Sequence, residues 1–531
     1  MCGIWLTISS QISITETNYI KLQKRGPDDC KIVKLPFAKM VFYRLAIQDL
    51  SPKGMQPFIV EKNNEIYYLL CNGEIYNWKL LAETFQLDLV SNSDCEIILA
   101  LFLHFDKDIL KVMELIRGEF AFVLFYHQKN DSNITGFAAR DPYGVRPLFV
   151  GLYDKYLQFS SLLGGISAPH AKQMEPGQIY YYNNETITFQ KSFYFVKKLV
   201  IDETTIYSQV CERLIQAVKD RLISDRPIGA LLSGGLDSSL VVAIAHKILK
   251  VPLQVFSIGL QGCDSTDLYY AQQVINHLDI KEHANIVYLD PKEAISRIRQ
   301  VIETCETYDI TTIRASIMQY SIAKYISENS SIKVILNGDG ADEVQMGYLY
   351  FRLAPDIPSA VQENQKLLDE IHFFDGLRVD RCISAFGLEA RVPYLDVNFV
   401  DYFLNIPNVM KVPFQQQEKY LIRKAFHTLY PDLLPESVLF RQKEAFSDGV
   451  SSTKNSWHSC LQNYIDSQVS DQEFEKRHDY TWNTPTSKES FFYRKIFHEI
   501  FGNQHETICP HFWLPNFTNV SDPSARELNI Y

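Results

Sequence analysis

No apolar run in these 531 residues is long enough to span a bilayer, and the opening MCGIWLTISSQ lacks the basic segment and long apolar core of a signal peptide. The expectation is a cytoplasmic protein with no membrane partner. A basic stripe is missing too: 52 Lys and Arg stand against 63 Asp and Glu, a formal charge of -11, so nucleic acid is not an expected partner. The ten cysteines form no CxxC pair and keep no regular spacing, which argues against a disulfide framework and against a zinc site. Low-complexity segments and internal repeats are absent, and 13% aromatic residues exclude extended disorder. What is present, 46% hydrophobic and 22% charged, is ordinary for a globular protein. At about 100 to 200 residues per domain the length allows two to four domains.

There is no GxxxxGK[ST] either, yet SGGLDSS at 233–239 sits between an apolar strand-like run, Ile228 to Leu232, and a helix-like one starting near Ser238. Strand, glycine turn and helix are the order a phosphate cradle needs. Backbone N–H groups of such a turn point into one concavity, with the positive helix N-terminus behind it. Gly234 and Gly235 let the backbone approach closely, Ser233, Ser238 and Ser239 add hydroxyl donors, and Asp237 sits where a carboxylate could hold Mg²⁺ bridging phosphates.

Cys2 is the one cysteine that invites a chemical argument. Removal of Met1 would give it a free α-amine, whose reference pKa of about 7.7 to 8.0 suits it to take the thiol proton. Its bland alternative is the start of a buried strand, CGIWLTI.

The first 190 or so residues read as short strands rich in aromatic and β-branched residues, such as MVFYRLAI, EIYYLLC and GEFAFVLFY, with helical patterns near 78–86 and 94–104. Layered antiparallel sheets covered by a few helices are the economical arrangement. From about 205 the pattern changes. An amphipathic helix at 207–222 precedes alternating strands and helices, the signature of a parallel sheet whose ligands bind beyond the strands' carboxyl ends. Past 350 the chain looks mostly helical. The boundaries expected are 2–190 and 205–531, with a linker near 190–205.

RGPDD at 25–29, YRLAI at 43–47, CNGEIYN at 71–77, SDCEIIL at 93–99 and RDPYGVRPLF at 140–149 occur in that order. With Cys2 they resemble the class II glutamine amidotransferases, N-terminal-nucleophile (Ntn) hydrolases that cleave glutamine through a thioester on an N-terminal cysteine. The resemblance implies that Arg44 pairs with the glutamine α-carboxylate and Asp94 with its α-ammonium. It implies also that Asn72 and Gly73 donate to the oxyanion, and that Leu45, Ala46, Ile47, Gln48 and Glu74 complete the glutamine site. Taken singly, Arg44 could be a surface ion pair, Asp94 a helix N-cap, and Asn72-Gly73 a hairpin turn.

SGGLDSS resembles the PP-loop of the ATP pyrophosphatases. FSIGL at 256–260, ETYDITTIRAS at 306–316, NGDGADEV at 337–344, GLEARVPYLD at 387–396, EKYLIRKAF at 418–426, RQKEAFSDGV at 441–450 and NTPTSKE at 483–489 extend the likeness almost end to end. Together they resemble the glutamine-hydrolysing asparagine synthetases. The resemblance implies an ATP-dependent amide ligase with glutamine, aspartate and ATP as substrates, Mg²⁺ accompanying the ATP, and no tightly bound organic cofactor. It implies a β-aspartyl-AMP intermediate, ammonia carried inside the protein between two sites, and by analogy a homodimer. By family position Leu232, Ile258, Asn337 and Gly338 contact the nucleotide, Ser233 to Ser239 surround the pyrophosphate, and Lys419 neutralises α-phosphate charge. Asp342 would serve Mg²⁺ with Asp237. Without that context Lys419 reads as a solvated helix lysine and DGADE as an acidic helix start.

The sequence departs from the family's SGEG[SA]DE pattern. Asn337 replaces Ser, Asp339 replaces the Glu tied to the aspartyl-adenylate, and Gln345-Met346 replaces Phe-Gly. A carboxylate shortened by one methylene could slow the reaction, since a misplacement of ~1 Å can cost ~10²-fold. Two competing readings stay open: an amidotransferase that adenylates another carboxylic acid, and a degenerate regulatory protein that binds glutamine or ATP without turnover.

Overall fold

A computed structural model of the chain describes residues 1–9, 18–153, 156–413, 417–444, 449–451, 456–520 and 522–523. Residues 445–448 of the RQKEAFSDGV string fall outside them. Packing divides the chain into two compact units. The first comprises Met1–Phe195 with Ile223–Arg226 and Ser384–Glu389; the second comprises Val196–Leu222, Pro227–Ile383 and Ala390–Tyr531.

Among the described residues the first unit holds twelve strands: β1 (Gly3–Ser9), β2 (Asp29–Leu35), β3 (Ala38–Arg44), β4 (Phe58–Lys62), β5 (Glu65–Ile75), β6 (Gly118–Gln128), β7 (Ile134–Arg140), β8 (Phe149–Tyr153), β9 (Tyr156–Ser160), β10 (Lys172–Gln173), β11 (Gln178–Tyr182) and β12 (Ile187–Ser192). They form two six-stranded sheets, ordered β10-β8-β9-β1-β3-β2 and β12-β11-β7-β6-β5-β4. The strand pairings within them are antiparallel. Successive strand residues face opposite ways. On one face Ile4, Leu6, Met40 and Phe42 of the first sheet meet Tyr68, Leu70, Val123 and Phe125 of the second in one core. On the other face of the second sheet Leu69, Cys71, Phe122 and Leu124 pack against residues of the helices Trp78–Thr84, Glu96–His104 and Ile109–Leu115. Burial on both faces explains why YYLLC and FAFVLFY run apolar without alternation. This is the layered antiparallel architecture expected; the helix Ile109–Leu115 had no part in that expectation.

The second unit is built on a five-stranded sheet of β13 (Ile228–Leu231), β14 (Gln254–Leu260), β15 (Ala284–Leu289), β16 (Val334–Leu336) and β17 (Glu389–Arg391), in the order β15-β14-β13-β16-β17. β13 pairs in parallel with β14 and with β16, and β14 with β15. The chain leaves β13 for β14 on one side and later inserts β16 on the other. Such a reversal of strand order opens a crevice beyond the carboxyl ends of the two strands flanking it. Both SGGLDSS, after β13, and NGDGADEV, after β16, lie at that crevice. The helix behind the loop spans Leu236–Ile248, two residues earlier than its apolar pattern suggests, because Gly235 is its N-cap. Past residue 350 the unit is mainly helical, as expected.

Candidate active sites

In the first unit two of the strings, RGPDD and YRLAI, reach Cys2. Arg25, fully buried, donates from Nε to the Cys2 carbonyl at 3.0 Å, while Asp28 accepts the Ala46 N–H at 2.9 Å. The RGPDD segment thus holds both the cysteine and the turn after β3. Leu45 closes the arrangement: its N–H lies 3.5 Å from the Cys2 sulfur, and its carbonyl lies 3.6 Å from it. Burial pushes the Cys2 thiol up to about 11 and the Met1 amine down to about 6 in the chain that retains Met1. Arg44 is buried, and its Nη1 donates to the Ser51 carbonyl at 2.7 Å while Nη2 donates to that of Asp49. Gln48 donates to Glu74 and accepts from the Trp78 indole at 3.1 Å.

Asn72 and Gly73 do not form a hairpin turn. They lie within β5, opposite Ala121 and Phe120 of β6. Asn72 is completely buried, and neither its amide nitrogen nor its oxygen has a hydrogen-bond partner among the described residues. Gly73 takes φ +155°, and a Cβ there would stand 2.2 Å from the Glu119 carbonyl oxygen, so only glycine fits. Asp94 is buried and accepts the Ile75 N–H at 2.6 Å, bracing the strand beside Gly73 and Glu74. It is not the N-cap of the following helix, which is Cys95.

RDPYGVRPLF explains itself physically. The Asp141 carboxylate accepts the N–H groups of Phe120, Tyr143, Val145 and Arg146, while Arg140 donates to the carbonyls of Gly144, Arg146 and Met174. Arg146 pairs with Glu119 at 2.9 Å, both buried. This string builds the turn behind Phe120, the cross-strand neighbour of Gly73.

The second unit encloses a cavity at the crevice, lined by Ser233, Gly235, Asp237, Ser238, Asn337, Gly338, Asp339, Asp342 and Lys419 among others. Four expected nucleotide contacts are not on that lining: Leu232, Gly234, Ser239 and Ile258. Leu232 and Ile258 are buried core, and Leu231 forms the wall instead. Gly234, at φ +77°, lets the loop pass the helix Thr266–His277, where a Cβ would fall 2.4 Å from the Ala271 nitrogen. Ser233 and Ser238 tie the loop together, Oγ to Oγ at 2.9 Å.

Lys419 is no solvated lysine. Its side chain is 1% exposed, and Nζ bridges Asp237 at 2.5 Å and Asp342 at 2.6 Å. Lys443 meets the other Asp342 oxygen at 2.5 Å. Against the upward push of burial these two ammonium groups hold Asp342 well below the usual carboxylate range. Burial lowers and Asp342, then Asp237, raise the Lys443 ammonium, and the carboxylates prevail. Asp237 and Asp342 therefore do converge, on a lysine. The second Asp237 oxygen, Oδ1, is buried without a hydrogen bond among the described residues, so the residues fit a hard cation. No cluster of three or more His, Cys, Asp or Glu suited to a metal occurs among the described residues.

Asp339 pairs with Arg378, which also binds Asp375 and donates from Nε to Gln319 at 3.0 Å. Burial raises the Asp339 carboxyl, only partly offset by Arg378. Burial, then Asp375 and Asp342, push Glu343 up as well, while Arg378 outweighs burial to hold Asp375 down. Tyr348 donates to this pair, at 2.5 Å from Glu343 and 2.9 Å from Asp375. Gln345 is buried with its amide unpaired among the described residues, and Met346 joins a cluster with Tyr350 and Phe351.

Sequence reasoning missed Lys443, Arg314, Asp375 and Arg378. The first two stand inside RQKEAF and TTIRAS, strings quoted without a role; Asp375 and Arg378 lie one helical turn apart in DGLRVDR, which carries no motif.

Comparison with known proteins agrees with this geometry. A family model described as asparagine synthase matches residues 209–370 and 359–516, and one described as a glutamine amidotransferase domain matches residues 1–212. The chain is 38% identical to the mouse asparagine synthetase [glutamine-hydrolyzing] and 39% identical to the chicken one, covering all of this chain and 99% of each relative. It is 40% identical to the probable asparagine synthetase [glutamine-hydrolyzing] of Acanthamoeba polyphaga mimivirus, over 96% of both chains.

Proposed function

Because this chain belongs to the glutamine-hydrolysing asparagine synthetases, we propose that its two sites divide one reaction, glutamine hydrolysis in residues 2–190 and amide synthesis in residues 205–531. The protein is an ATP-dependent ligase that forms asparagine with glutamine as the nitrogen source.

In the first step Met1 is removed and the Cys2 thiol passes its proton to the α-amine of the same residue. The thiolate attacks the glutamine side-chain carbonyl, ammonia departs, and water cleaves the thioester to glutamate. Support comes from the unpaired Asn72 amide: a buried donor with no partner is one that can turn its N–H on a developing oxyanion, with Gly73 beside it. Arg44, steadied by the Asp49 and Ser51 carbonyls, keeps a second hydrogen on each Nη for the α-carboxylate, and Asp94 takes the α-ammonium.

In the second step the aspartate β-carboxylate attacks the α-phosphorus of ATP and pyrophosphate leaves. Ammonia, carried inside the protein, attacks the β-carbonyl of the acyl adenylate and AMP leaves. Carboxylate oxygen is a poor leaving group and AMP a good one, and exclusion of water protects the intermediate. Ser233, Gly235 and Ser238 hold the pyrophosphate, Asn337 and Gly338 meet the nucleotide, and Lys419 with Lys443 neutralises phosphate charge. Mg²⁺ accompanying ATP would be held by Asp237, with Asp342 near it, and would supply further charge neutralisation. The cytosol suits ten free cysteines, and no helix among the described residues is long and apolar enough to cross a membrane. A homodimer belongs to the same proposal and is checked by light scattering.

The observation that carries the reading is one chain holding both a thiol against an arginine–leucine turn and a serine–glycine loop whose lysine bridges two carboxylates. Incubation with glutamine, aspartate and MgATP, following asparagine, AMP and pyrophosphate, tests it. Equal asparagine and AMP, with neither in the aspartate-free control, are expected; AMP formed only with another carboxylic acid contradicts the acceptor.

A further inference from the structure

Arg314, on the helix Ile310–Asn329, lines the cavity of the second unit with its side chain 3% exposed. Two carboxylates grip its guanidinium. Glu489 accepts from Nε at 2.9 Å and from Nη2 at 2.7 Å. Asp522 accepts from Nη1 at 2.8 Å and from Nη2 at 2.7 Å, a second two-pronged carboxylate on one cation. His458 also approaches the pair, its Nε2 lying 3.4 Å from Asp522 Oδ2.

The two carboxylates are not equivalent. Glu489 is 0% exposed and is held also by Tyr493 at 2.9 Å and Gln462 at 2.6 Å, which makes it the fixed counter-ion. Asp522 is 25% exposed and stands on a C-terminal segment without helix or strand, near Trp513, Pro515 and Pro523, which line the same cavity. Fixed partner and exchangeable partner are thus separated by burial.

The acceptor of the proposed reaction is aspartate, a small dicarboxylate, and Arg314 is one of the guanidinium groups that line this cavity. The Asp522 side chain is chemically half of that substrate. We propose that Asp522 is an internal competitor for the acceptor's carboxylate, occupying Arg314 in the resting protein and yielding it to the substrate. The exchange leaves the net charge at Arg314 unchanged, so what the tail carboxylate sets is affinity for the acid, not the rate of chemistry. The inference rests on aspartate being the acceptor.

Steady-state ammonia-dependent synthesis by the full chain and by Asp522→Asn and Asp522→Ala tests it, with KM measured separately for aspartate and for ATP. KM for aspartate is expected to fall roughly three- to tenfold, the scale of a charge-assisted hydrogen bond discounted for a quarter-exposed group. The KM for ATP and kcat should stay within about twofold, and Asp522→Glu should lie nearer the unaltered protein. A chain ended after Val520 repeats the comparison without a substituted side chain. Unchanged or raised KM for aspartate, or a drop in kcat with both KM values moving together, makes Asp522 a mere anchor of the tail and overturns the proposal. Asparagine and AMP from the unaltered protein in the same assay establish the acceptor. If another acid is adenylated instead, that reading fails, and the same KM comparison on that acid still decides whether Asp522 competes.

Discussion

In the first unit Asn72 is wholly buried, with both polar atoms of its side chain unpaired among the described residues, whereas in the second each oxygen of Asp342 already sits on an ammonium group. An unpaired buried amide costs about 1 to 3 kcal/mol in the resting protein. That cost is tolerable where the charge to be stabilised is a transient oxyanion, because a donor already committed elsewhere would have to break a bond at the moment of reaction. The reaction proposed for the second site handles charges that are permanent: a triphosphate, a carboxylate acceptor and pyrophosphate. Lys419, Lys443 and Arg378 cannot be left buried and bare, so Asp237, Asp342, Asp339 and Asp375 neutralise them, and substrate binding becomes an exchange of partners. With the proposed roles, the first site would be set before glutamine arrives, and the second would be rearranged by what it binds.

That contrast can be broken at several points. Removing a neutralised cation leaves its carboxylates facing each other as well as the phosphates, so Lys419→Met should lower AMP formation by about 10³-fold while glutamine hydrolysis continues. Pyrophosphate release and glutamate release measured in parallel check both halves. Removing the idle donor is gentler: Asn72→Ala should cost about 10²-fold in glutamine hydrolysis with no loss of melting temperature, since no hydrogen bond is given up. A marked drop in melting temperature would mean that Asn72 is structural. Asp339→Glu is smaller still. Asp339 is already in contact with Arg378, so the added methylene must displace that arginine, and synthesis should fall by about tenfold rather than rise. A faster enzyme would show that the site is merely detuned relative to its family.

The smallest effect concerns pH. With Met1 retained, the Cys2 thiol is raised to about 11, so at pH 8 only about one thiol in a thousand is ionised. Alkylation of Cys2 in that form should climb about tenfold per pH unit toward 11. Removal of Met1 should make labelling near neutrality faster. Equal labelling of the two forms would deny the amine its role.

Much of this was legible in the residues. Burial against the partner sheet on one face and against helices on the other explains the aromatic strands of the first unit, and a glycine turn between an apolar strand and a helix located the crevice of the second. Cys2, Asn72, Gly73, Asp94 and Lys419 are read directly from their strings. Less legible were residues that work through charge rather than chain geometry. Arg378 meets Asp339 across the fold and holds Asp375 on its own helix, which carries no motif, and no local pattern announces an ion pair between positions 339 and 378. Leu232 and Ile258 are buried side chains, and burial alone does not separate an apolar residue beside a loop that faces the core from one that faces a ligand. The role of RDPYGVRPLF emerged only with the Asp141 hydrogen bonds, since a string that supports a turn looks, in sequence, like one that touches substrate.

If one chain carries two chemically separate sites joined by ammonia alone, the Cys2→Ala protein should lose the first reaction and keep the second. Glutamate, asparagine and AMP are measured first with glutamine and then with ammonium chloride as the nitrogen source. Loss of glutamate and asparagine with glutamine, together with asparagine and AMP formed in equal amounts with ammonia, is the predicted result. Glutamate still released from glutamine, or synthesis that fails even with ammonia in a folded protein, would contradict it.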